Sequence, residues 1–265
     1  MSTPQDSADQ RRIDHAINRM LATFPRYAPC VDSTLGRHLP ATELASEQLI
    51  SRAIAASRQA FKIPADQFGA QVWLFSLLGS VGSPAMATMV LTDAIIDLDL
   101  GSGVVFNRDE DAGYWFGFRP GRSSISYEQA GQHLGESLAP VIATICRLTG
   151  MRPAPLWAVV ADGVVQPAVG AGNADFEQFK AMAVARAVHR GLQAAAAVKI
   201  PPPRFEQIID DEFAPVMDEE PEFLVAHRGS CCMIYHGADA DYCASCPHVP
   251  KKVRLAGIIA AAEKY

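Results

Sequence analysis

Arg228-Gly229-Ser230-Cys231-Cys232, ten residues of spacer, then Cys243-Ala244-Ser245-Cys246-Pro247: this window near the C-terminus holds four of the chain's six cysteines. The other two, Cys30 and Cys146, stand far apart in the preceding sequence. Thiolates are soft, charged donors, and four brought together repel one another unless a thiophilic metal neutralises them. A redox dithiol at Cys243-x-x-Cys246 would need a thioredoxin-like βαβ surround, which the neighbouring sequence lacks. A disulfide framework suits a short secreted domain better than a 265-residue chain. Spacing alone leaves two readings level. Four cysteines with a C-x-x-C half are common zinc ligands, whereas the adjacent Cys231-Cys232 pair diverges more easily around a wider two-iron cluster.

The order Arg-x-x-Cys-Cys, ten residues, Cys-x-x-Cys, with Tyr242 just before the second pair, resembles the signature of the FhuF-like ferric-siderophore reductases. The clear match covers about residues 223 to 255. The resemblance implies a [2Fe-2S] cluster as cofactor, with Cys231, Cys232, Cys243 and Cys246 as its ligands. It also implies an oxidoreductase that transfers one electron to chelated Fe(III), releasing Fe(II) in the cytoplasm. The partners implied are a ferric siderophore and an external electron donor such as a ferredoxin or a flavin reductase, because no flavin or nicotinamide fingerprint is present. No further catalytic residue is called for, since the chemistry resides in the cofactor. Arg228, Lys251, Lys252 and Arg254 flank the cysteines and are candidates to balance cluster charge or face the substrate. Two other classes remain as alternatives: a non-redox binding protein whose tail is stapled by zinc, and an iron-sulfur redox or iron sensor.

Composition bounds the rest. At 265 residues and 49% hydrophobic, the chain can bury a sizeable core. A formal net charge of -6 disfavours a nucleic-acid binder. No uncharged apolar run of membrane-spanning length is apparent, and Met1 to Arg12 is polar, so a cytoplasmic monomer is expected.

The expected fold is α+β and predominantly helical, with a β-hairpin or small sheet around 104–118 and a small C-terminal cluster-binding lobe. Residues 1–200 form a mainly helical siderophore-binding body, 201–222 a Pro-rich and acidic linker, and 223–265 the [2Fe-2S]-binding segment. Within the body, apolar spacing predicts a helix over 9–24, a surface loop over 25–40 carrying Cys30, Arg37 and His38, and a helix from a Thr42 cap to about Lys62. Two buried helices are expected over 66–99, divided by Gly79, Gly82 and Pro84. Val104 to Phe106 and Tyr114 to Phe118 alternate as strands, with Tyr114, Phe116 and Phe118 on one face and Trp115 on the other. Arg119 and Arg122, beyond that strand, read as a solvated pair. Ser126 and Gln129 form a capping box for a helix that Pro140 should kink. Asp175 and Gln178 signal the same for a helix carrying His189, and Pro201-Pro202-Pro203 closes it. The acidic run from Glu206 to Glu222 reads as a solvated linker or helix face.

Overall fold

The computed structural model describes residues 4–108 and 114–262. In chain order, α1 (Pro4–Thr23) leads through a 3-10 turn into the single turn α2 (Ala28–Val31), then β1 (Arg37–Leu39), α3 (Glu47–Phe61), α4 (Asp66–Val81) and α5 (Ser83–Leu91). Strands β2 (Val104–Asn107) and β3 (Phe116–Arg119) precede the three long helices α6 (Tyr127–Thr149), α7 (Pro153–Asp175) and α8 (Gln178–Ala195). The chain then gives β4 (Arg204–Ile209), β5 (Glu212–Ala214) and β6 (Leu224–His227), and ends in α9 (Lys251–Ala262). The fold is the predominantly helical α+β expected, with two small antiparallel sheets ordered β1-β2-β3 and β5-β4-β6.

The core explains the helical body. Trp73, Leu74, Leu77 and Leu78 of α4, Met86, Met89 and Val90 of α5, and Val159, Val160 and Val164 of α7 are fully buried together. The stretches Asp66–Leu91 and Pro153–Asp175 are long and apolar enough to cross a membrane by length and composition. Burial accounts for that character, since 83% and 67% of their apolar windows lie inside the molecule. Helices α6 and α8 meet through glycines. A Cβ on Gly131 would sit 2.0 Å from the Val188 carbonyl oxygen, and one on Gly191 would sit 1.9 Å from that of Glu128. Only a residue without a side chain permits backbones that close.

Strands β2 and β3 pair with Val105 opposite Phe118 and Asn107 opposite Phe116. Tyr114, Phe116 and Phe118 are buried and Trp115 is 44% exposed, as the alternation requires. The turn expected between these strands lies, over 109–113, outside the described residues. Ser126 caps α6 by accepting from the Gln129 amide, and α6 continues through Pro140 as one helix.

Five local expectations change. The residues 25–40 form short helical turns and β1 rather than a loop alone, and Cys30 is buried. Helix α3 is capped by Ser46, whose Oγ accepts from the Leu49 amide, because Thr42 is already inside a 3-10 turn. Asp175 ends α7 instead of starting α8, and Phe176 follows with φ of 56°, reversing the chain. The first half of the acidic run is a hairpin: Asp210 and Asp211, both at positive φ (50° and 58°), turn β4 into β5 with Ile209 opposite Glu212. Two left-handed residues in a two-residue loop match the right-handed strand twist, and Asp tolerates that conformation. Arg119 and Arg122 are ion-paired, to Asp14 and to Asp97 and Asp99, so neither is simply solvated.

Candidate metal centre

The four clustered cysteines follow β6, which runs along one face of α7. Helix α7 is apolar except for a few side chains on one face. Asn173 accepts from the Leu224 amide and donates to the Leu224 carbonyl, both at 2.9 Å, as a neighbouring strand would. One helical repeat back, Gln166 donates to the Ala226 carbonyl at 2.9 Å. One turn further, Asp162 accepts from the Gly229 amide (2.9 Å), the Ser230 amide (2.8 Å) and the Ser230 hydroxyl (2.6 Å). Polar residues spaced by four and seven share a helical face, and a buried polar group must find a partner. The pattern therefore fixes the register of residues 224–230 against the body. Gln71 of α4 adds a bond from its side-chain amide to the Cys231 carbonyl at 2.6 Å.

Beyond Cys232 the chain turns through Met233 at φ of 64°, and the Met233 amide donates to the Cys231 Sγ at 3.3 Å. The Cys246 amide donates to the Cys243 carbonyl at 2.9 Å, closing the second turn. Gly257 of α9 packs against Ala244 of that turn. Cys231, Cys232 and Cys246 are buried, and Cys243 is the exposed member of the set. All four are free thiols. The thiols influence one another in series, Cys246 and Cys232 acting on Cys231, and Cys232 acting on Cys243. Among the described residues, no three His, Cys, Asp or Glu side chains converge as one ion would need. Cys232 is the main influence on both its neighbours: it donates toward the Cys231 sulfur, holding that thiol below the ordinary range, and accepts from Cys243, holding that one above it.

Arg228 is the cation of this site. Its side chain is 5% exposed, its Nη1 lies 3.6 Å from the Cys243 Sγ, and its Nε lies 3.6 Å from Asp162. Burial works against its charge, but Asp162, Cys232, Cys243 and Cys231 more than offset it and hold the guanidinium in the charged form. The guanidinium also lies 5.2 Å from the Phe75 ring. Its Nε and Nη2 have no hydrogen-bond partner.

Of the four flanking cations singled out in the sequence, Arg228 is the one brought to the thiols. Lys251 pairs with Glu206 at 3.7 Å and lies over Phe213, and Lys252 is exposed. Arg254 donates to the Val249 carbonyl at 3.4 Å. His227 bonds Glu206, and His236 stacks on Phe68 at 3.9 Å. Tyr235 joins His236, Tyr242 and His248 in a ring cluster beside the thiols. His189, buried on α8, is satisfied by the Pro201 carbonyl.

Asp162, Gln71, Gln166 and Asn173 have no part in the sequence-based site. Their signal was present as single polar residues within otherwise apolar helices, each of which demands a buried partner.

The donor set fits an iron-sulfur cluster. Four soft thiolates around two Fe(III) and two sulfides leave a net anion, and this site supplies a buried cation and a backbone N–H directed at sulfur. The family model described as FhuF 2Fe-2S C-terminal domain matches residues 228–248. No curated protein matches the chain. The chain is thus FhuF-like at this segment, and its cofactor is a [2Fe-2S] cluster.

Proposed function

We propose that this chain is a ferric-siderophore reductase: it takes one electron from an external donor and passes it to chelated Fe(III), which leaves as Fe(II) in the cytoplasm. Cys231, Cys232, Cys243 and Cys246 are the cluster ligands in this reading. Residues 223–265 form the cluster-bearing segment, and the helical body over 1–200 provides the surface on which the chelate lies. The observation that carries the reading is the asymmetry of the thiol set, three buried and one exposed, with a buried guanidinium beside the exposed one.

The cluster, when bound, supplies a single electron at a time. The chain's residues do the rest. Burial of Cys231, Cys232 and Cys246 excludes water from most of the site, and the exposed Cys243 leaves one edge open to a partner. Arg228 offsets negative charge as the site gains an electron, and Asp162 holds that guanidinium and the Gly229-Ser230 turn in place. No general acid or nucleophile is required. Siderophores hold Fe(III) through hard oxygen donors, and lowering the metal charge weakens those bonds, so electron transfer is itself the release step. A ferredoxin or a flavin reductase restores the electron.

The test uses protein purified without air and reduced chemically. Mixed with a ferric siderophore and a ferrous-specific indicator, it is expected to recover its oxidised absorption while one ferrous iron appears per cluster. A cluster that stays reduced in the presence of the chelate overturns the proposal. A colourless preparation carrying stoichiometric zinc overturns the cluster assignment as well.

A further inference from the structure

A cavity of about 310 Å³ opens between the α1–α2 junction, α4, α7 and the Arg228 turn. That is near the lower limit for small-molecule sites, which run from roughly 300 to 1,000 Å³. Phe24, Tyr27 and Phe75 give it an aromatic wall, and Arg228 and Ser245 tie it to the two cysteine turns. Its electrostatics are the reverse of the chain's. Two guanidiniums line it, Arg228 and Arg26, in a protein of net charge -6. Arg26 lies over the rings of Phe24 and Tyr27, at 4.8 Å and 5.0 Å, and pairs with no carboxylate among the described residues. The carboxylate in the lining, Asp162, already accepts three hydrogen bonds from Gly229 and Ser230.

The decisive feature is the state of Arg228. A guanidinium this buried ordinarily has its donors satisfied, yet Nη2 has no partner and Nε has only the Asp162 carboxylate, at 3.6 Å and beyond hydrogen-bond reach. An unpaired buried donor is costly, and a ligand oxygen that reaches it removes the cost. Arginine suits an anionic oxygen donor because its fork offers two N–H groups at once. The aromatic wall adds a face for a ring, and a cation over those rings favours one that carries negative charge on its oxygens.

We propose that this cavity receives one anionic aryl-oxygen arm, of the catecholate class, from the iron chelate. Arg228 contacts the arm at the inner end, Arg26 attracts it at the mouth, and Phe24, Tyr27 and Phe75 flank the ring. The proposal rests on the reductase reading, for it assigns that reading a substrate class. It places the bound arm against the same guanidinium that reaches the Cys243 sulfur, and so brings the chelate to the exposed side of the thiol set.

Gallium(III) chelates test binding without electron transfer, because gallium matches ferric iron in charge and size but is not reduced by the protein. Cluster-loaded full-length protein is titrated by calorimetry with a trianionic gallium tris(catecholate), a neutral gallium tris(hydroxamate) and gallium citrate. Two glycines allow the cavity to be filled: a Cβ on Gly79 or Gly170 would meet nothing within 4 Å, and both line the space. Gly79→Leu and Gly170→Leu are each expected to weaken catecholate binding roughly tenfold or more, and Arg26→Glu to do likewise. Cluster absorption and far-ultraviolet circular dichroism of each variant establish that it is folded and loaded. The neutral hydroxamate and the ring-free citrate are expected to bind at least roughly tenfold more weakly than the catecholate. Equal binding of all three chelates, or catecholate binding unaffected by both leucine substitutions, overturns the proposal. If the gallium catecholate behaves as expected but its ferric counterpart is not reduced, the reductase reading fails while the binding site stands.

Discussion

The helical body and the C-terminal cysteine segment are held together by different physics. In the body, α4, α5 and α7 bury Trp73, Leu74, Met86, Val160 and their neighbours, and stability comes from apolar area removed from water. In the segment, residues 224–232 are fastened mainly by polar side chains of the body, Asn173, Gln166, Asp162 and Gln71, each bonded to backbone. Past Cys232 the chain is short of regular structure: a 3-10 turn at Ile234–His236 and α9, whose one buried residue is Leu255. A segment with so little apolar core takes much of its order from the metal it binds, as small metallodomains do. The body's order rests on its own apolar core, and that of the cysteine turns does not.

The largest expected effect breaks that contrast at the metal. Cys232→Ser removes the thiol that is linked to both Cys231 and Cys243. Iron and sulfide content should fall to background, and limited proteolysis should open the chain within 233–250. The helical circular dichroism of the body should survive. A variant that loses its body along with its cluster would show that the two regions form one cooperative unit.

Asp162→Ala and Leu74→Ala form a matched pair, one for each kind of physics. Breaking a buried ion pair from one side costs about 3 to 5 kcal/mol, and at Asp162 three further donors lose their acceptor. Leu74→Ala is expected to cost a similar sum, about 2 to 5 kcal/mol, through lost burial and the cavity left behind. The readouts should part. Chemical denaturation should register both, whereas cluster occupancy and reduction potential should change with Asp162→Ala alone, because Arg228 and the Gly229-Ser230 turn lose their anchor. An altered potential in Leu74→Ala would show that core packing reaches the thiols.

The same division decides what could be read from sequence. The thiols were legible because four cysteines at fixed spacing admit few chemistries, and the α4–α5 core was legible because its apolar runs are continuous. The anchors were not. Asp162, Gln166 and Asn173 derive their meaning from a strand that begins about fifty residues later, and no local pattern records that pairing. The Asp210-Asp211 turn was hidden by charge, since an acidic run suggests solvation whereas its backbone conformation makes a hairpin. Thr42 and Asp175 satisfied the letter of a cap signal, but the neighbouring Ser46 and the reversal at Phe176 took precedence.

A smaller effect sharpens the comparison from the side of the body. Gly170 is an exposed position within α7, where an added methyl has room. Gly170→Ala should raise stability by about 0.5 to 1 kcal/mol, since glycine in a helix interior costs that much in backbone freedom. The gain should appear in the denaturation midpoint and leave the cluster's absorption unchanged.

The smallest effect is a pH dependence confined to the body. His189 has its pKa lowered, chiefly by burial on α8, with the Pro201 carbonyl opposing in part. The folded state therefore resists protonation that the unfolded chain accepts near the ordinary histidine pKa of about 6.5. As pH falls through that value, the unfolded chain takes up a proton and stability declines, and the decline ends once the pH is below the lowered folded pKa. Above about 7 both states are neutral and this contribution is flat. Urea midpoints of wild type and His189→Gln, taken from pH 7.5 to 5, isolate the effect: the wild type should lose more ground than the variant over that interval. Glutamine keeps a donor for the Pro201 carbonyl but has no proton to gain. Identical slopes would mean that the imidazole can be protonated in place, and that the α8 end of the body is more open to water than its packing indicates.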